Sequence, residues 1–244
     1  MKEEIIVSGR MNPGIDPYLQ IWHWEIPVYL FLGGLAAGLL FFAAYFTIQG
    51  KENVYKTAVK SATAIAPLAL VLGLLALFLD LKHKLYFWQL YTTLRIESPM
   101  SWGAWVLMAI TPFSFIWIAS FFKEIFPKLN LSKGLFAWMM RFVVKEDDTV
   151  EGLNWNWKYK FVQKFELFFI RNRVTFAWLL IIYAIILGVY TGILLSAFNA
   201  RPLWNTSILG PLFLVSGLST GAATIMWMSK DHAERKMFSK IDLM

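Results

Sequence analysis

Cysteine is absent from the 244 residues, and that one omission removes disulfides, thiolate metal sites, iron–sulfur ligation and thiol nucleophiles together. Any redox centre the chain serves must belong to a partner or to a bound small molecule. Charge is sparse as well: 16% of the residues are charged, against 58% hydrophobic. Histidine occurs three times, and His23, His83 and His232 all fall at the edges of apolar stretches. Axial ligands facing each other inside a membrane are therefore not expected, and neither is haem. The chain also lacks a phosphate-cradling glycine loop, a metal-ligand spacing and a nucleophile elbow.

What is abundant is apolar and aromatic: 21 Phe, 12 Trp and 9 Tyr. A soluble domain of this size cannot hide so much apolar surface, so the composition points into a bilayer. Five charge-free stretches approach the roughly 20 residues that a helix needs to cross a hydrocarbon core of about 30 Å. They run from Ile26 to Ile48, Ala62 to Leu79, Trp102 to Phe122, Val174 to Ser196 and Ile208 to Met228. The alternation of a barrel strand is missing, so the expected class is all-α integral membrane protein. The first 25 residues contain Glu3, Glu4, Asp16 and Glu25 and lack the basic-then-apolar pattern of a cleavable signal. The first span is expected to serve as its own signal.

Of the 23 Lys and Arg residues, seventeen follow spans one, three and five, and ten of those lie between spans three and four. The other six lie before span one, between spans two and three, and between spans four and five. The asymmetry predicts an inner-membrane protein with residues 1–25 outside, a cytoplasmic loop over 123–173 and a cytoplasmic tail over 229–244. The transmembrane units are then 26–122 and 174–228. The long loop carries two amphipathic stretches, Leu131 to Val144 and Trp155 to Ile170, expected at the inner membrane surface.

An internal echo links spans one and five. Gly33-Gly34-Leu35-Ala36-Ala37-Gly38 and Ser216-Gly217-Leu218-Ser219-Thr220-Gly221 share one small-Gly-Leu-small-small-Gly pattern. Both spans run the same way, four helices apart. This suggests a first four-helix bundle followed by the opening helix of a second, although small-xxx-small spacing serves helix packing generally.

Polar groups gather at the outer ends of the spans. Glu25 and His23 precede span one, with Tyr29 one turn inside it. Asp80, Lys82, His83 and Lys84 end span two, and Arg95, Glu97 and Ser98 precede span three. Tyr190 lies inside the outer end of span four, and Arg201, Trp204 and Asn205 just beyond. A quinone needs an apolar aromatic slot and polar groups at its carbonyls that donate hydrogen bonds and accept protons. His23, Glu25, Tyr29, Asp80, Tyr190 and Arg201 are the candidates, with Asp80 and Tyr190 expected to act on the ligand directly. Interfacial anchoring is the competing account of the aromatics. A transporter or channel, or a structural anchor without a quinone site, are the alternatives, and uncharged span interiors argue against transport.

In order and spacing, Trp22-His23-Trp24, Leu32 to Gly38, Ser98-Pro99-Met100-Ser101-Trp102-Gly103-Ala104-Trp105, Tyr190-Thr191-Gly192 and Arg201-Pro202-Leu203-Trp204-Asn205 resemble the NrfD/PsrC family of membrane anchors. The resemblance spans all five apolar stretches and leaves out the long loop. It implies a subunit without haem or metal that binds menaquinone or menaquinol near the outer face. Electrons would pass to a docked four-cluster iron–sulfur subunit, itself joined to a catalytic subunit such as a molybdopterin enzyme. It also implies eight or more helices in two bundles, so that this chain reads as a partial member. Tyr190 matches the family's quinone-ligating tyrosine. Two further polar ligands of the polysulfide reductase anchor fall on Ile26 and Tyr29, one lost and one replaced, which leaves His23 or Glu25 to take over.

Overall fold

A computed structural model describes residues 24–125, 142, 144–145, 156–196 and 206–243. Long helices dominate: α1 (Glu25–Ile48), α2 (Ile65–Asp80), the short α3 (Gln89–Thr92), α4 (Pro99–Ile125), α5 (Lys160–Arg171), α6 (Arg173–Ser196), α7 (Leu209–Met228) and α8 (His232–Asp242). Two residues on each side, Val144–Lys145 and Asn156–Trp157, pair as a minimal antiparallel ribbon. Five helices are long and apolar enough to cross a membrane: Glu25–Ile48, Thr57–Asp80, Pro99–Ile125, Arg173–Ser196 and Leu209–Met228. These are the five expected spans, extended by one to five residues at several ends, because charged and small polar residues continue the helix where hydropathy has already fallen. In lipid a helix satisfies its own backbone groups, and that is why such sequences take this form.

The helix ends have local causes. α1 stops where Gly50 adopts φ 69°; the Gly50 N–H bonds the Thr47 carbonyl and the Lys51 N–H the Phe46 carbonyl, a glycine-terminated cap. Span two begins irregularly, with a wide π-helical turn at Thr57–Ser61 and a tight turn at Ala62–Ala64 before α2 proper. Pro67 lies just beyond and cannot donate a helical hydrogen bond. Carbonyls in the irregular turn find other donors: the Thr63 hydroxyl donates to Ala58, and Trp117 Nε1 of α4 donates to Val59 at 3.3 Å. Pro112 sits inside α4 without ending it.

α1 is the centre of the assembly and packs along α2, α6 and α7, while α4 joins mainly through α6. Spans one and five meet directly: the echoed motifs place Gly34 and Gly38 against Gly217 and Gly221. Similar glycine hexamers are thus two sides of one contact. The residues after span five, expected as a tail, fold back as α8 along α7. Phe238 packs edge-on to Phe42 and Phe46 of α1. The buried Glu234 carboxylate accepts from the Ala58 N–H at 2.9 Å and the Ser229 hydroxyl at 2.8 Å.

The two ends of the bundle differ in chemistry. At the end holding the Lys-rich connections, here the basic face, Arg173 pairs with Glu52 at 3.2 Å and Glu124 at 3.7 Å. Its guanidinium also stacks 3.8 Å over the Phe121 ring, and Lys60 completes the network through Glu124. The opposite end carries Tyr29 and Tyr190.

Candidate functional site

Tyr190 belongs to a run of α6 residues, Leu187, Tyr190, Thr191 and Leu194, that helical spacing turns inward. The hydroxyl-bearing end of its ring packs against α4 because position 103 is glycine: a Cβ there would stand 1.9 Å from Tyr190 Cζ and 2.1 Å from its hydroxyl oxygen. Gly192 lets α6 approach the start of α7, where a Cβ would fall 2.2 Å from the Leu209 carbonyl oxygen. The Tyr-Thr-Gly segment thus fixes span four against spans three and five.

Beside Tyr190 opens a groove of about 440 Å³ between α4 and α6. Pro99, Trp102 and Val106 form one wall and Ile186, Val189 and Ile193 the other, with Glu97 at the mouth. Trp102 is held by its indole N–H, which donates to the Ile96 carbonyl at 2.7 Å. Tyr190 and Glu97 are the two other lining side chains that carry an exchangeable proton or a hydrogen-bonding group. The groove faces spans three and four, and of the described candidates Tyr190 lines it whereas Glu25, Tyr29 and Asp80 do not.

Tyr29 lies behind Tyr190 in the bundle interior, packed on Gly73 of α2 with 3.4 Å between Tyr29 Cδ2 and a Cβ built on that glycine. The phenols of Tyr29, Tyr190 and Tyr91 approach closely enough to interact. The Tyr29 hydroxyl is sealed from solvent beside the Tyr190 phenol, and Glu25 Oε2, one turn earlier on α1, is buried without a partner among the described residues.

Asp80 ends α2 at the same face and is partly buried. His23, Arg201, Trp204 and Asn205 lie outside the described residues. Next to the groove, Lys82, His83 and Arg95 line a second concavity of about 510 Å³. Arg95 is fixed through its backbone N–H, which donates to Ser101 Oγ at 3.1 Å. Burial lifts the Tyr91 phenol above its ordinary pKa.

Sequence reasoning passed over Tyr91, Glu97 as a groove residue, and Gly103. Tyr91 sits in a connection with no periodicity to mark it. Gly103 had a signal, since a lone glycine among Trp, Ala and Trp asks what occupies the space.

Five apolar helices that cross a membrane and converge on one tyrosine-bearing face define an all-α, multi-pass integral membrane protein. A family model described as "Polysulphide reductase, NrfD" matches residues 13–241, and the chain belongs to that family. It is 36% identical over 216 residues to the C subunit of polysulfide reductase from Wolinella succinogenes, covering 87% of this protein and 60% of that one. It is 31% identical over 211 residues to protein NrfD of Escherichia coli, covering 84% and 58%. A NrfD homologue of Haemophilus influenzae is 30% identical over 206 residues, covering 83% and 57%. The chain thus spans no more than 60% of the length of these relatives.

Proposed function

We propose that this chain is the quinol-handling membrane subunit of a respiratory oxidoreductase, with the ligand seated in the groove between α4 and α6. Membership of a family of respiratory membrane subunits gives the coarse class. The observation that carries the finer reading is the groove itself: apolar walls in a membrane-spanning region, with one tyrosine and one carboxylate among its lining residues. Isoprenoid quinones enter from lipid and are held by apolar walls with few polar groups, and this surface matches both requirements.

A bound menaquinol would supply two electrons and two protons. Tyr190 orients the ring by donating its hydroxyl to one ligand oxygen. Behind it, the buried Tyr29 hydroxyl and Glu25 Oε2 extend a polar path along α1. Glu97, exposed at the mouth, accepts a proton and returns it to water. Asp80, at the same face, is the second acceptor, and His23 and Arg201 are assigned to the rim of the site.

Having no cysteine, the chain holds no iron–sulfur cluster, so electrons leave to a docked iron–sulfur subunit and from there to a catalytic subunit of the molybdopterin class. The cationic concavity of Lys82, His83 and Arg95 suits an acidic, polar-rimmed partner surface. The tyrosine-bearing face is the outer one by the charge asymmetry of the loops. A photoreactive menaquinone analogue added to the assembled complex tests the placement. Labelling within residues 97–106 and 185–193 is the expected result, and labelling confined to α2 or α8 contradicts it.

A further inference from the structure

The helix α5 meets three environments. Toward the protein it turns Glu166, whose Oε2 accepts hydrogen bonds from Lys123 Nζ at 2.9 Å and Trp157 Nε1 at 3.0 Å. That residue is 8% exposed, so the two bonds fix the roll of α5 against the end of α4. With the roll fixed, Phe161 and Phe165 point away from the protein and are 67% and 49% exposed, and Phe168, whose ring edge also meets Phe176 of α6, is 55% exposed on the same stripe. Lys160, Lys164 and Arg171 form a second exposed column, roughly a quarter of a turn around the helix from the phenylalanines. None of these three cations has a carboxylate at ion-pair distance among the described residues.

The placement of α5 says what covers the phenylalanines. Lys123 lies two residues from the end of the membrane-crossing α4, and only Asn172 separates α5 from Arg173, where the membrane-crossing α6 starts. α5 therefore sits at the level where two spans leave the membrane. An exposed aromatic stripe flanked by cations at that level has the form of a helix lying in the interface. We infer that α5 is an in-plane anchor that inserts Phe161, Phe165 and Phe168 into the leaflet on the basic face and holds anionic phospholipid headgroups with Lys160, Lys164 and Arg171. A docked protein would also bury the phenylalanines, but the exposed column of three cations beside them is complementary to a negatively charged leaflet.

The absence of cysteine makes the test clean, because Phe165→Cys and Lys164→Cys each introduce a single labelling site into the full chain. Spin-labelled protein is placed in nanodiscs of phosphatidylcholine and phosphatidylglycerol. The label at 165 should be relaxed several-fold more strongly by oxygen than by a water-soluble nickel chelate, with the reverse order at 164. Replacing Lys160, Lys164 and Arg171 together by Gln should cut the enrichment of phosphatidylglycerol around the protein several-fold and leave the label at 165 in lipid. Free access of the chelate to position 165 places α5 in water and overturns the inference. Exclusion of both probes shows a protein covering the stripe and overturns it equally. Equal phosphatidylglycerol enrichment in the parent and the triple variant removes the anionic preference.

Discussion

Gly38 and Gly217 stand backbone to backbone: a Cβ built on Gly38 would lie 2.0 Å from the Gly217 carbonyl oxygen. Neither helix can retreat without opening the contacts that α1 makes with α2 and α6, so the pair sets the distance between spans one and five. In lipid, where apolar surface gains little by leaving the solvent, such close approach is what small residues contribute. Gly38→Ala should therefore destabilise the protein by about 1–3 kcal/mol, the usual cost of overpacking. Gly33→Ala, with nothing within 4 Å of its Cβ, should be close to neutral. Thermal unfolding of both variants in detergent checks the contrast.

Gly103 gives a way to disturb the groove without touching a polar group. A methyl there would clash with the Tyr190 ring at 1.9 Å, so Gly103→Ala should displace the phenol and lower quinol turnover of the assembled complex by tenfold or more. Gly73→Ala, whose Cβ meets Tyr29 at an ordinary 3.4 Å, should retain most of it. Steady-state rates with a menaquinol analogue separate the two.

On the basic face, Arg173→Gln removes the common partner of Glu52 and Glu124 and leaves Lys60 as the cation that still pairs with Glu124. The Arg173 side chain is only 12% exposed, and breaking a buried pair typically costs about 3–5 kcal/mol. Glu124 is half open to solvent, so the lower end of that range is expected, read as a fall in the denaturation midpoint. Lys164→Gln, on an exposed surface with no ion pair among the described residues, should change it by less than about 0.5 kcal/mol.

The loop charges predict an orientation that a reporter can test. A reporter fused after Met244, or between Lys145 and Glu151, should be cytoplasmic, and one placed before Trp22 external. An external carboxyl terminus would reverse the faces and move the proposed quinone site to the inner leaflet.

The five spans were readable because a crossing helix announces itself by length and lack of charge, and the structure moves their ends by only a few residues. Less was readable where a local rule is broken by a distant partner. The π-helical start of span two depends on Thr63 and on Trp117 from another helix, which no window around Thr57 reveals. The tyrosines were visible as types, but the partner of Tyr190 is Gly103, a residue with no side chain, so the wall of the groove could not be inferred from polar residues alone. Glu166 reads as one charge in an amphipathic helix. Its inward direction is set by Lys123, 43 residues earlier.

Asp80 and Tyr190 should fail differently. Asp80→Asn removes a proton acceptor and keeps the shape, so turnover should fall while the affinity for the quinol is little changed. A fall in affinity equal to the fall in rate would instead give Asp80 a binding role.

The account rests on the Tyr190 hydroxyl, and Tyr190→Phe isolates it, because the ring keeps its seat on Gly103 and only the oxygen is lost. The direct measurement is the dissociation constant of a menaquinol analogue for the parent and the variant in the assembled complex. A hydrogen bond contributing about 1.4 kcal/mol corresponds to roughly tenfold weaker binding in Tyr190→Phe, and that is the predicted result. Equal affinity in the two proteins would contradict the placement of the quinone beside Tyr190.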